Sequence, residues 1–384
     1  MEKKTVLIIG VRRPCYKAAR ALGHNVVLWS DGALADRRKK GLHGWIEEPY
    51  AESKDALSTK LINELTKYQI DRVIANTEEA VLLGARVRAH LDLKRLAVDV
   101  VERFHNKWIM KNCAREMGVP VTNYRLIDQN TNAEYLLNEL GLPLVIKPVD
   151  ESGAQDIKIA RNLNDIAKFI KPGLLAESYI EGSEVSVETF IDNGRPIFHN
   201  ITEYLHQWRK SVVPANLSND LVKKILKIND EVITHFGVDR GMTHAEFYIT
   251  KNGPVFGEIA IRPPGGYYMN LIDRVYGIDS WKTYVNLSCG DEPGELSTSP
   301  KGCAAVYMIH PGKGRVKSIT GVGEVKKHIL GLFDISIRRE PGDTIAEHEN
   351  TSNEVGHVLF WASDRNSLNK DLNYIENTLR IELE

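Results

Sequence analysis

The chain has few cysteines, no long apolar run and no surplus of charge of either sign. Its 384 residues include four cysteines without CxxC spacing, namely Cys15, Cys113, Cys289 and Cys303. That spacing fits neither a disulfide framework nor a structural zinc site, so we expect buried free thiols. The apolar runs fall well short of the ~20 residues that span a bilayer. Residues 1–9 also lack a secretion signal, so we expect a cytoplasmic protein.

The balance of charge excludes a further class of function. Lys and Arg number 50 against 51 Asp and Glu, which leaves a formal net charge of −1. A chain with so little net charge has no overall field that would recruit nucleic acid or an acidic membrane. The hydrophobic share of 42% and the charged share of 26% are those of an ordinary globular protein. The length predicts roughly two to three domains.

Several nucleotide-binding and catalytic signatures are also missing. The segment Gly10-Val-Arg-Arg-Pro14 follows the first predicted strand but lacks the GxGxxG spacing of a dinucleotide site. This disfavours a nicotinamide or flavin oxidoreductase. The sequence has no GxxxxGK(S/T) loop and no GxSxG elbow. Any nucleotide must therefore be held in another way.

The pattern of apolar residues predicts an α/β protein of three domains. Residues 5–29 are typical of strand, helix and strand, and a strand at 72–75 ends in polar residues, where open α/β sheets bind ligands. Glu79 in this polar run is a candidate substrate residue. We predict an α/β domain over 1–103, an α+β domain over 104–300 and a small α+β domain over 301–384. In the second domain we predict helices at 104–117, 133–140, 163–170 and 221–236, and strands at 144–148, 157–160, 174–180, 184–191, 244–250 and 255–261.

Glu246 and Glu258 flank a predicted hairpin turn in which Gly253 suits a positive φ. With a three-residue loop, Glu246 lies directly opposite Glu258 and both carboxylates share one face. With a two-residue loop the count shifts by one and the pairing is lost. Like charges directly opposite are destabilising, so a divalent cation such as Mg²⁺ is the economical partner. Solvent-facing acids are the alternative.

Arg262 lies four residues beyond Glu258, an even spacing that returns it to the same face of a strand. There an arginine can neutralise charge that develops during phosphoryl transfer. Gly265 and Gly266 follow and allow the backbone to approach a substrate closely. A surface arginine followed by a Pro-Gly turn is the alternative.

Lys147 lies inside an otherwise apolar strand, although lysine is rarely buried without a partner. The polar stretch after it can fold over phosphates through Ser152, Gly153 and backbone amides. A lysine that extends from an edge strand to solvent is the alternative.

Residues 177–184 offer contacts for a nucleotide. The backbone of Glu177, Ser178, Tyr179 and Ile180 can meet an adenine edge, and Glu184 can accept hydrogen bonds from ribose hydroxyls. An edge strand with solvated acids is the alternative.

These motifs occur in the order and spacing of one family. Residues 104–266 resemble the ATP-grasp enzymes, which include biotin carboxylase, carbamoyl phosphate synthetase, D-alanine ligase and especially the L-amino-acid ligases. The resemblance covers nearly the whole chain, so we expect an ATP-grasp domain between a Rossmann-like N-terminal domain and a small C-terminal α+β domain. It rests on Phe104-His-Asn-Lys107, Gly118-Val-Pro120, Ile146-Lys-Pro148, the 177–184 segment, Glu246 and Glu258-Ile-Ala-Ile-Arg262.

The resemblance implies a role for each motif. Lys107 and Lys147 would hold ATP phosphates, residues 177–180 would face adenine, and Glu184 would bind ribose. Glu246 and Glu258 would bind Mg²⁺, with Mn²⁺ as an alternative metal, and Arg262 would steady an acyl phosphate.

The chain departs from the family pattern at two positions. Asp156 stands where the phosphate loop usually has Gly, and Ala260 stands where many members have a metal-binding Asn. Both departures bear on metal occupancy and on activity.

The implied reaction is an ADP-forming ligation in which ATP converts a carboxylate to an acyl phosphate and an amine displaces the phosphate. A bicarbonate-activating carboxylase or purine-pathway enzyme, and a non-catalytic nucleotide-binding module, are the alternatives. Related ligases place a substrate loop at residues 202–210, where Glu203, Trp208 and Arg209 are candidate contacts. The expected partners are small carboxylate and amine substrates rather than nucleic acid or membrane, and a homodimer is the candidate assembly.

Overall fold

The computed structural model describes residues 2–150, 156–206, 209–347 and 354–384. The predicted contacts Ser152, Gly153 and Trp208 lie outside these described residues. All four cysteines are free; three are buried as expected, whereas Cys113 is half-buried. None of the described helices is long and apolar enough to cross a membrane.

The N-terminal segment forms a parallel four-stranded sheet in the order β3-β2-β1-β4. Its strands are unbroken apolar runs, as expected for a sheet that helices cover on both faces. The strand order reverses between β1 and β4, and ligands bind outside the carboxyl ends of strands at such a point. The elements are β1 (Thr5–Ile9), α1 (Arg13–Ala21), β2 (Asn25–Ser30), α2 (Asp36–Lys39), β3 (Gly44–Glu47), α3 (Thr59–Leu65), β4 (Arg72–Ala75) and α4 (Glu78–His90).

Two helices, α5 (Val98–His105) and α6 (Lys107–Glu116), follow the first sheet. The prediction of one helix over 104–117 is therefore wrong at its start. The helix breaks at Asn106, whose side-chain oxygen accepts hydrogen bonds from Trp108 N at 3.0 Å and Ile109 N at 3.2 Å. An asparagine that caps a helix in this way satisfies amides that would otherwise lack partners. As a result, Lys107 begins a new helix.

A small antiparallel sheet in the order β5-β8-β6-β7 comes next and packs against α7 and α8. Buried leucines and isoleucines such as Leu136, Leu144 and Ile166 form its separate core. Its elements are β5 (Tyr124–Leu126), α7 (Ala133–Leu140), β6 (Leu144–Pro148), β7 (Lys158–Ala160), α8 (Leu163–Phe169) and β8 (Leu174–Ser178).

The largest sheet has eight strands in the order β13-β12-β9-β10-β11-β14-β18-β16. Three of these strands come from residues 301–384, so the C-terminal segment extends the same sheet as the segment before it. The first half of the sheet and its helices consist of β9 (Ser183–Asp192), β10 (Arg195–His206), β11 (Lys210–Val213), α9 (Asn219–Phe236), β12 (Gly241–Thr250), β13 (Gly253–Ala260), α10 (Tyr268–Tyr276) and α11 (Ser280–Cys289). The remaining elements are β14 (Cys303–Ile309), β15 (Gly314–Thr320), α12 (Val322–His328), β16 (Leu332–Ile337), β17 (Thr344–Ile345), β18 (Gly356–Ala362), α13 (Arg365–Thr378) and β19 (Arg380–Leu383).

In its described part the stretch 202–210 belongs to a β-hairpin, so the expectation of a loop over residues 202–206 is wrong. Residues 202–206 end β10, and Lys210 begins β11. Ile201 faces the core beneath the sheet, whereas Thr202 and Tyr204 face the opposite side, as alternate residues of a strand do.

Strand β9 divides the large sheet into an apolar and a polar face. Val185 and Val187 are buried in the core beneath the sheet. Ser186 and Glu188, which alternate with them, point to the opposite face. That polar face carries most of the residues described below.

Candidate active site

Glu246 and Glu258 are directly paired across the hairpin of β12 and β13. The turn holds two residues, so that Thr250 pairs with Gly253, and the predicted three-residue loop is wrong. A β-bulge at Gly257 adds one residue to β13 and restores the pairing that the shorter turn would have lost. The two carboxylates therefore share one face for a reason that differs from the predicted one.

Gly257 is closely enclosed by its neighbours. A Cβ atom at this position would lie 3.0 Å from the backbone oxygen of Glu246. Lys111 Nζ donates a hydrogen bond to the Gly257 carbonyl at 3.0 Å. The bulge is thus held from α6 and leaves little room for a side chain.

The paired carboxylates are partly open to a cleft and lie beside a cation. The side chains of Glu246 and Glu258 are 24% and 34% exposed. Lys107 Nζ lies 3.8 Å from Glu258 Oε2. Burial alone would raise the pKa of Glu258, but Lys107 and Lys147 outweigh it and lower the pKa. Glu258 is therefore ionised at neutral pH.

Two lysines share one buried carboxylate at the small sheet. Glu177 Oε1 lies 3.2 Å from Lys147 Nζ and 3.4 Å from Lys111 Nζ. Burial would raise the pKa of Glu177, but the two lysines lower it. Complete burial lowers the pKa of Lys111, whereas Glu177 and Glu258 offset burial and raise that of Lys147. Two positive charges against one negative charge leave a positive surplus beside the cleft.

The backbone of residues 177–180 is largely engaged within the protein. Ser178 N donates to Asn123 O at 2.9 Å, and Tyr179 N donates to Pro143 O at 3.0 Å. Within the described parts of the chain, the Ile180 amide has no hydrogen-bond acceptor. Of the predicted adenine contacts, this amide is the donor that remains available.

Glu184 lies on the polar face of the large sheet, in the row next to the glutamate pair. It is directly opposite Tyr248 on β12, two residues from Glu246. Burial and the charges of Glu184 and Glu246 raise the pKa of Tyr248. Glu184 therefore belongs to the same surface as the paired glutamates.

A buried hydrogen-bond network lies beside Glu246 on the same face of the large sheet. Glu188 accepts hydrogen bonds at 2.7 Å from Ser186 Oγ, Asn200 Nδ2 and Thr202 Oγ1. His244 Nδ1 lies 2.9 Å from Glu188 Oε1. Every member is satisfied by another, which favours a single rigid arrangement.

His244 connects this network to Glu246. Its Nε2 lies 3.5 Å from Glu246 Oε1, to which Tyr204 Oη also donates at 3.2 Å. Burial lowers the pKa of His244, but hydrogen bonds to Glu188 and Glu246 outweigh burial and raise it to about 9. His244 is paired across the strands with Ala260, the position where the family pattern has Asn. The cationic imidazole of His244 therefore lies next to the position where the family pattern has an asparagine side chain.

Arg262 joins the large sheet to the N-terminal domain. Its Nε lies 2.8 Å from Glu78 Oε2, and His105 Nδ1 lies 3.0 Å from Glu78 Oε1. Burial would raise the pKa of Glu78, but Arg262 and His105 lower it to about 2. Burial likewise lowers the pKa of Arg262, but Glu78 outweighs it and raises the pKa. Both groups are charged at neutral pH.

Arg12 holds the turn that follows Arg262. Its guanidinium donates to the carbonyl oxygens of Pro263 and Pro264 and lies 5.1 Å from the ring centroid of Trp281. Arg12, in the segment after β1, thus connects the first sheet to the turn that follows Arg262.

Comparisons with known proteins agree with this arrangement. Residues 167–270 match the model of an ATP-grasp domain, and residues 306–384 match that of L-amino acid ligase C-terminal domain 2. The chain therefore contains an ATP-grasp domain followed by an L-amino acid ligase C-terminal domain. The predicted fold and the predicted class of enzyme, an ADP-forming carboxylate–amine ligase, are confirmed.

Individual relatives of this ATP-grasp chain are distant but cover most of its length. An L-arginine-specific L-amino acid ligase of Bacillus subtilis is 24% identical over 82% of the chain and 80% of its own length. Dapdiamide A synthase of Enterobacter agglomerans is 24% identical over 74% of the chain and 73% of its own length. The crystal structure of an L-amino acid ligase from Bacillus licheniformis superposes with a TM-score of 0.84 at 19% identity and covers 100% of both chains.

Several residues of the ATP-grasp site were not singled out from the sequence. Lys111 follows Lys107 by four residues, a spacing that places both on one helix face. Glu188 stands in the alternating pattern of β9, and His244 precedes Glu246 by two residues, so both were accessible to a period-of-two argument. Glu78 lies in the polar run after the strand at 72–75, and Arg12 lies in the segment after the first strand. Neither local pattern predicted their contacts, because their partners are distant in sequence.

Other predicted residues of the ligase lie away from the glutamate pair. Glu203 faces the other side of the sheet, where Arg365 Nη2 donates to it at 2.8 Å. Arg209 is half-buried beside β14, and its carbonyl accepts a hydrogen bond from Met308 N at 2.8 Å. Glu79 is exposed and lines a different cleft, described below.

The two glycines lie in the turn between Arg262 and α10. A Cβ atom on Gly266, whose φ is +59°, would lie 2.9 Å from Tyr268 Cε1 and 3.1 Å from Met308 Cε. Gly265 has no such neighbour within 4 Å. A ligand can therefore approach the backbone at Gly265 most closely.

Proposed function

We propose that this ligase activates the carboxylate of an amino acid or small peptide with ATP and joins it to the amine of a second amino acid. The proposal is carried by one observation. The facing carboxylates Glu246 and Glu258 are partly exposed and interact with the positive charges of Lys107, Lys147 and Arg262.

The donor set at the glutamate pair fits Mg²⁺. Within the described residues, Glu246 Oε2 and Glu258 Oε1 have no hydrogen bond or ion pair, so each carboxylate keeps one oxygen for a hard cation. Ala260 supplies no third oxygen, so the remaining ligands would be phosphate oxygens and water. When bound, the metal would neutralise phosphate charge and favour attack by an anionic nucleophile.

The nucleotide would lie between the small sheet and the large sheet. Lys107 and Lys147 would hold the phosphates, aided by the predicted contacts Ser152 and Gly153. The Ile180 amide would donate to the adenine edge, and Glu184 would accept hydrogen bonds from ribose hydroxyls. Lys111 and Lys147 share Glu177, and Lys147 is the less buried of the two. We therefore infer that Lys147, like Lys107, contacts the phosphates.

Arg262 would meet the carboxylate to be activated. A carboxylate oxygen forms a bond to the γ-phosphorus, the bond from that phosphorus to the β–γ bridging oxygen breaks, and ADP leaves. The amine nitrogen then forms a bond to the acyl carbon, the bond to the phosphate oxygen breaks, and the amine loses a proton. Fixed positive charge next to these oxygens offsets the repulsion between the anions.

An acidic cleft beside the N-terminal sheet is the candidate site for the amine substrate. It has a volume of about 400 Å³ and lies at the carboxyl ends of β1, β2 and β4. Asp31 and Glu79 line it, with Arg38 as the cationic side chain of the described lining. Two carboxylates in a cleft suit an ammonium group.

Further aspects of the expectation are carried forward as proposals. We infer domain boundaries near residues 103 and 300, a cytoplasmic location and a homodimeric assembly. Sedimentation velocity of the purified chain tests the assembly, with a monomer as the contrary result.

The decisive experiment measures ADP release with Mg-ATP and pairs of amino acids, followed by mass detection of the product. A dipeptide that appears in step with ADP is the expected result. ADP release that depends on bicarbonate alone would instead support a carboxylase. Tight ATP binding without ADP release across the whole panel would support a non-catalytic nucleotide-binding protein.

A further inference from the structure

A second cavity lies behind the N-terminal sheet and runs along α4 from Val81 to Arg88. Its volume is about 160 Å³. At roughly 30 Å³ per water molecule in the liquid, that space holds about five water-sized groups. Its walls come from β4, α4, the turn at 93–96, α11 and the start of β12. The cavity is therefore lined by elements from both sheets.

Arg88 on α4 is a buried cation in this cavity. It is 7% exposed and donates to Val73 O at 3.2 Å and Leu96 O at 3.4 Å. Its Nε is buried and has no hydrogen-bond partner, and no carboxylate of the described residues forms an ion pair with it. Burial lowers the pKa of Arg88 to about 10, which leaves the guanidinium charged at neutral pH. A buried charge is normally paired, so a counter-ion is missing here.

The lining as a whole has a surplus of positive charge. Arg88 included, it carries four arginines and one lysine against the carboxylates Asp71 and Asp239, which is a net charge of +3. Arg240 is paired with Asp192 outside the lining at 2.5 Å, which leaves a surplus of +2. Asp239 is already engaged, since Arg95 Nε lies 3.6 Å from it and the Arg240 amide donates to it at 2.8 Å. Neither carboxylate forms an ion pair with Arg88, although the charge of Asp239 partly offsets the effect of burial on the pKa of Arg88.

The remaining wall is apolar and limits the shape of a ligand. Val73, Val81, Leu96, Val101 and Met242 face the space beside the guanidinium. An inorganic anion would leave these side chains against water, whereas an aliphatic tail would bury apolar surface against them. The cavity therefore suits a ligand with one anionic end and a short apolar body.

We propose that this cavity is a binding site for a small aliphatic monocarboxylate whose carboxylate pairs with Arg88 and whose tail of three to four carbons, by the estimate of about five water-sized groups, fills the apolar end. A carboxylate accepts two hydrogen bonds from a guanidinium in the strongest geometry available to that pair. The site is distinct from the catalytic cleft. Ten residues of α4 separate Glu78 from Arg88, which at ~1.5 Å per residue is about 15 Å.

The wild-type chain tests the proposal by isothermal calorimetry with sodium acetate, butyrate and octanoate, and with chloride and phosphate at matched ionic strength. We expect saturable binding of one butyrate per chain, at least 10-fold tighter than acetate, and no binding of octanoate at this site. Binding of phosphate or chloride as tight as that of butyrate would overturn the proposal. So would an absence of saturable butyrate binding.

Variants identify the site. Arg88→Met should abolish butyrate binding, and Arg88→Lys, which keeps the charge without the planar fork, should weaken it at least 10-fold. Arg86→Met is the matched control, because Arg86 lies on the same helix but donates to the Lys54 carbonyl outside the cavity. If Arg88→Met does not fold, Arg88→Lys and the wild-type length series decide the question.

The Arg262→Ala variant distinguishes butyrate binding at Arg88 from butyrate binding in the catalytic cleft. We expect this variant to bind butyrate as the wild type does, whether or not the proposed ligase reaction is correct. Loss of butyrate binding in Arg262→Ala but not in the Arg88 variants would place the carboxylate in the catalytic cleft and overturn the proposal.

Discussion

The guanidinium of Arg262 and the carboxylate of Glu78 form a buried ion pair between two domains of the ligase. The Nε–Oε2 distance is 2.8 Å, and the side chains are 16% and 10% exposed. Glu78 begins α4 at the carboxyl end of β4, whereas Arg262 follows β13 of the large sheet. The orientation of the arginine therefore depends on how the N-terminal domain is seated.

Replacement of Glu78 by Gln should reduce turnover rather than ATP binding. Arg262 would keep its charge but lose the carboxylate that orients it, and misplacement of a positioning group costs on the order of 10- to 100-fold in kcat. Steady-state ADP release, with kcat and the KM for ATP measured separately, checks this. Glu139→Gln is the control, since Glu139 pairs with Arg125 on the surface. A rise in KM with unchanged kcat would contradict the positioning role.

The same pair should make stability depend on pH in acid. The pKa of Glu78 is about 2 in the folded chain, below its ordinary value, so the stability it contributes is present above the ordinary carboxyl pKa. It is lost as pH falls through the window from about 4.3 to the folded value, and it amounts to about 3 kcal/mol. Urea unfolding of wild type and Glu78→Gln should show a constant gap from pH 5 to 7 that narrows below pH 4. A gap that widens in acid would refute the assignment.

Glu258→Gln should remove catalysis while the fold is retained. The change keeps the shape of the side chain but removes one of the two anionic groups proposed to hold Mg²⁺, so turnover should fall at least about 100-fold. Glu203→Gln makes the same chemical change on the opposite face of the sheet and should leave turnover within about twofold, because Glu203 contacts Arg365 there and not the glutamate pair. Phosphate release and circular dichroism are measured on both. Equal turnover in both variants would exclude a role for the glutamate pair.

Glu177→Gln should destabilise the chain by about 3 kcal/mol, because it removes the carboxylate that the buried Lys111 and Lys147 share and leaves Glu258 as their remaining countercharge. Adding Lys111→Met should recover part of that loss, since the more deeply buried of the two unpaired charges is then gone. Denaturant unfolding of the single and double variants measures the coupling. Additive losses in the double variant would show that the two side chains do not interact.

Gly257→Ala tests whether the bulge sets the register of the glutamate pair. The new methyl group would lie 3.0 Å from the Glu246 carbonyl, so either that strand shifts or the bulge changes shape. We expect lower Mg²⁺ affinity and at least a 10-fold loss of turnover. Gly323→Ala on α12, where no atom lies within 4 Å and which the site does not include, is the control. Unchanged turnover in Gly257→Ala would show that the register tolerates the methyl group.

Local patterns were sufficient for strands such as β1, β6, β9, β12 and β13, but not for β10 and β11, where the sequence predicted a loop at 202–210. The alternation in β9, the apolar runs of β1 and β2, and the even spacing from Glu246 to its neighbours depend on residues close in sequence. The departures arose where one residue changes a count. Asn106 divides a predicted helix, and a two-residue turn with a bulge replaces a three-residue turn.

The sequence by itself determined the family, the order of the motifs and the residue types that face the cleft, because these follow from short-range periodicity and spacing. Tertiary structure alone decided which charges are paired. Glu78 with Arg262, Arg12 with the turn after Arg262, and Glu177 with Lys111 are separated by tens to hundreds of positions, and no local preference encodes such a distance. The lack of an ion-pair partner at Arg88 is also decided by tertiary structure. The burial of this side chain depends on the sheets packed around it and not on the helix that carries it.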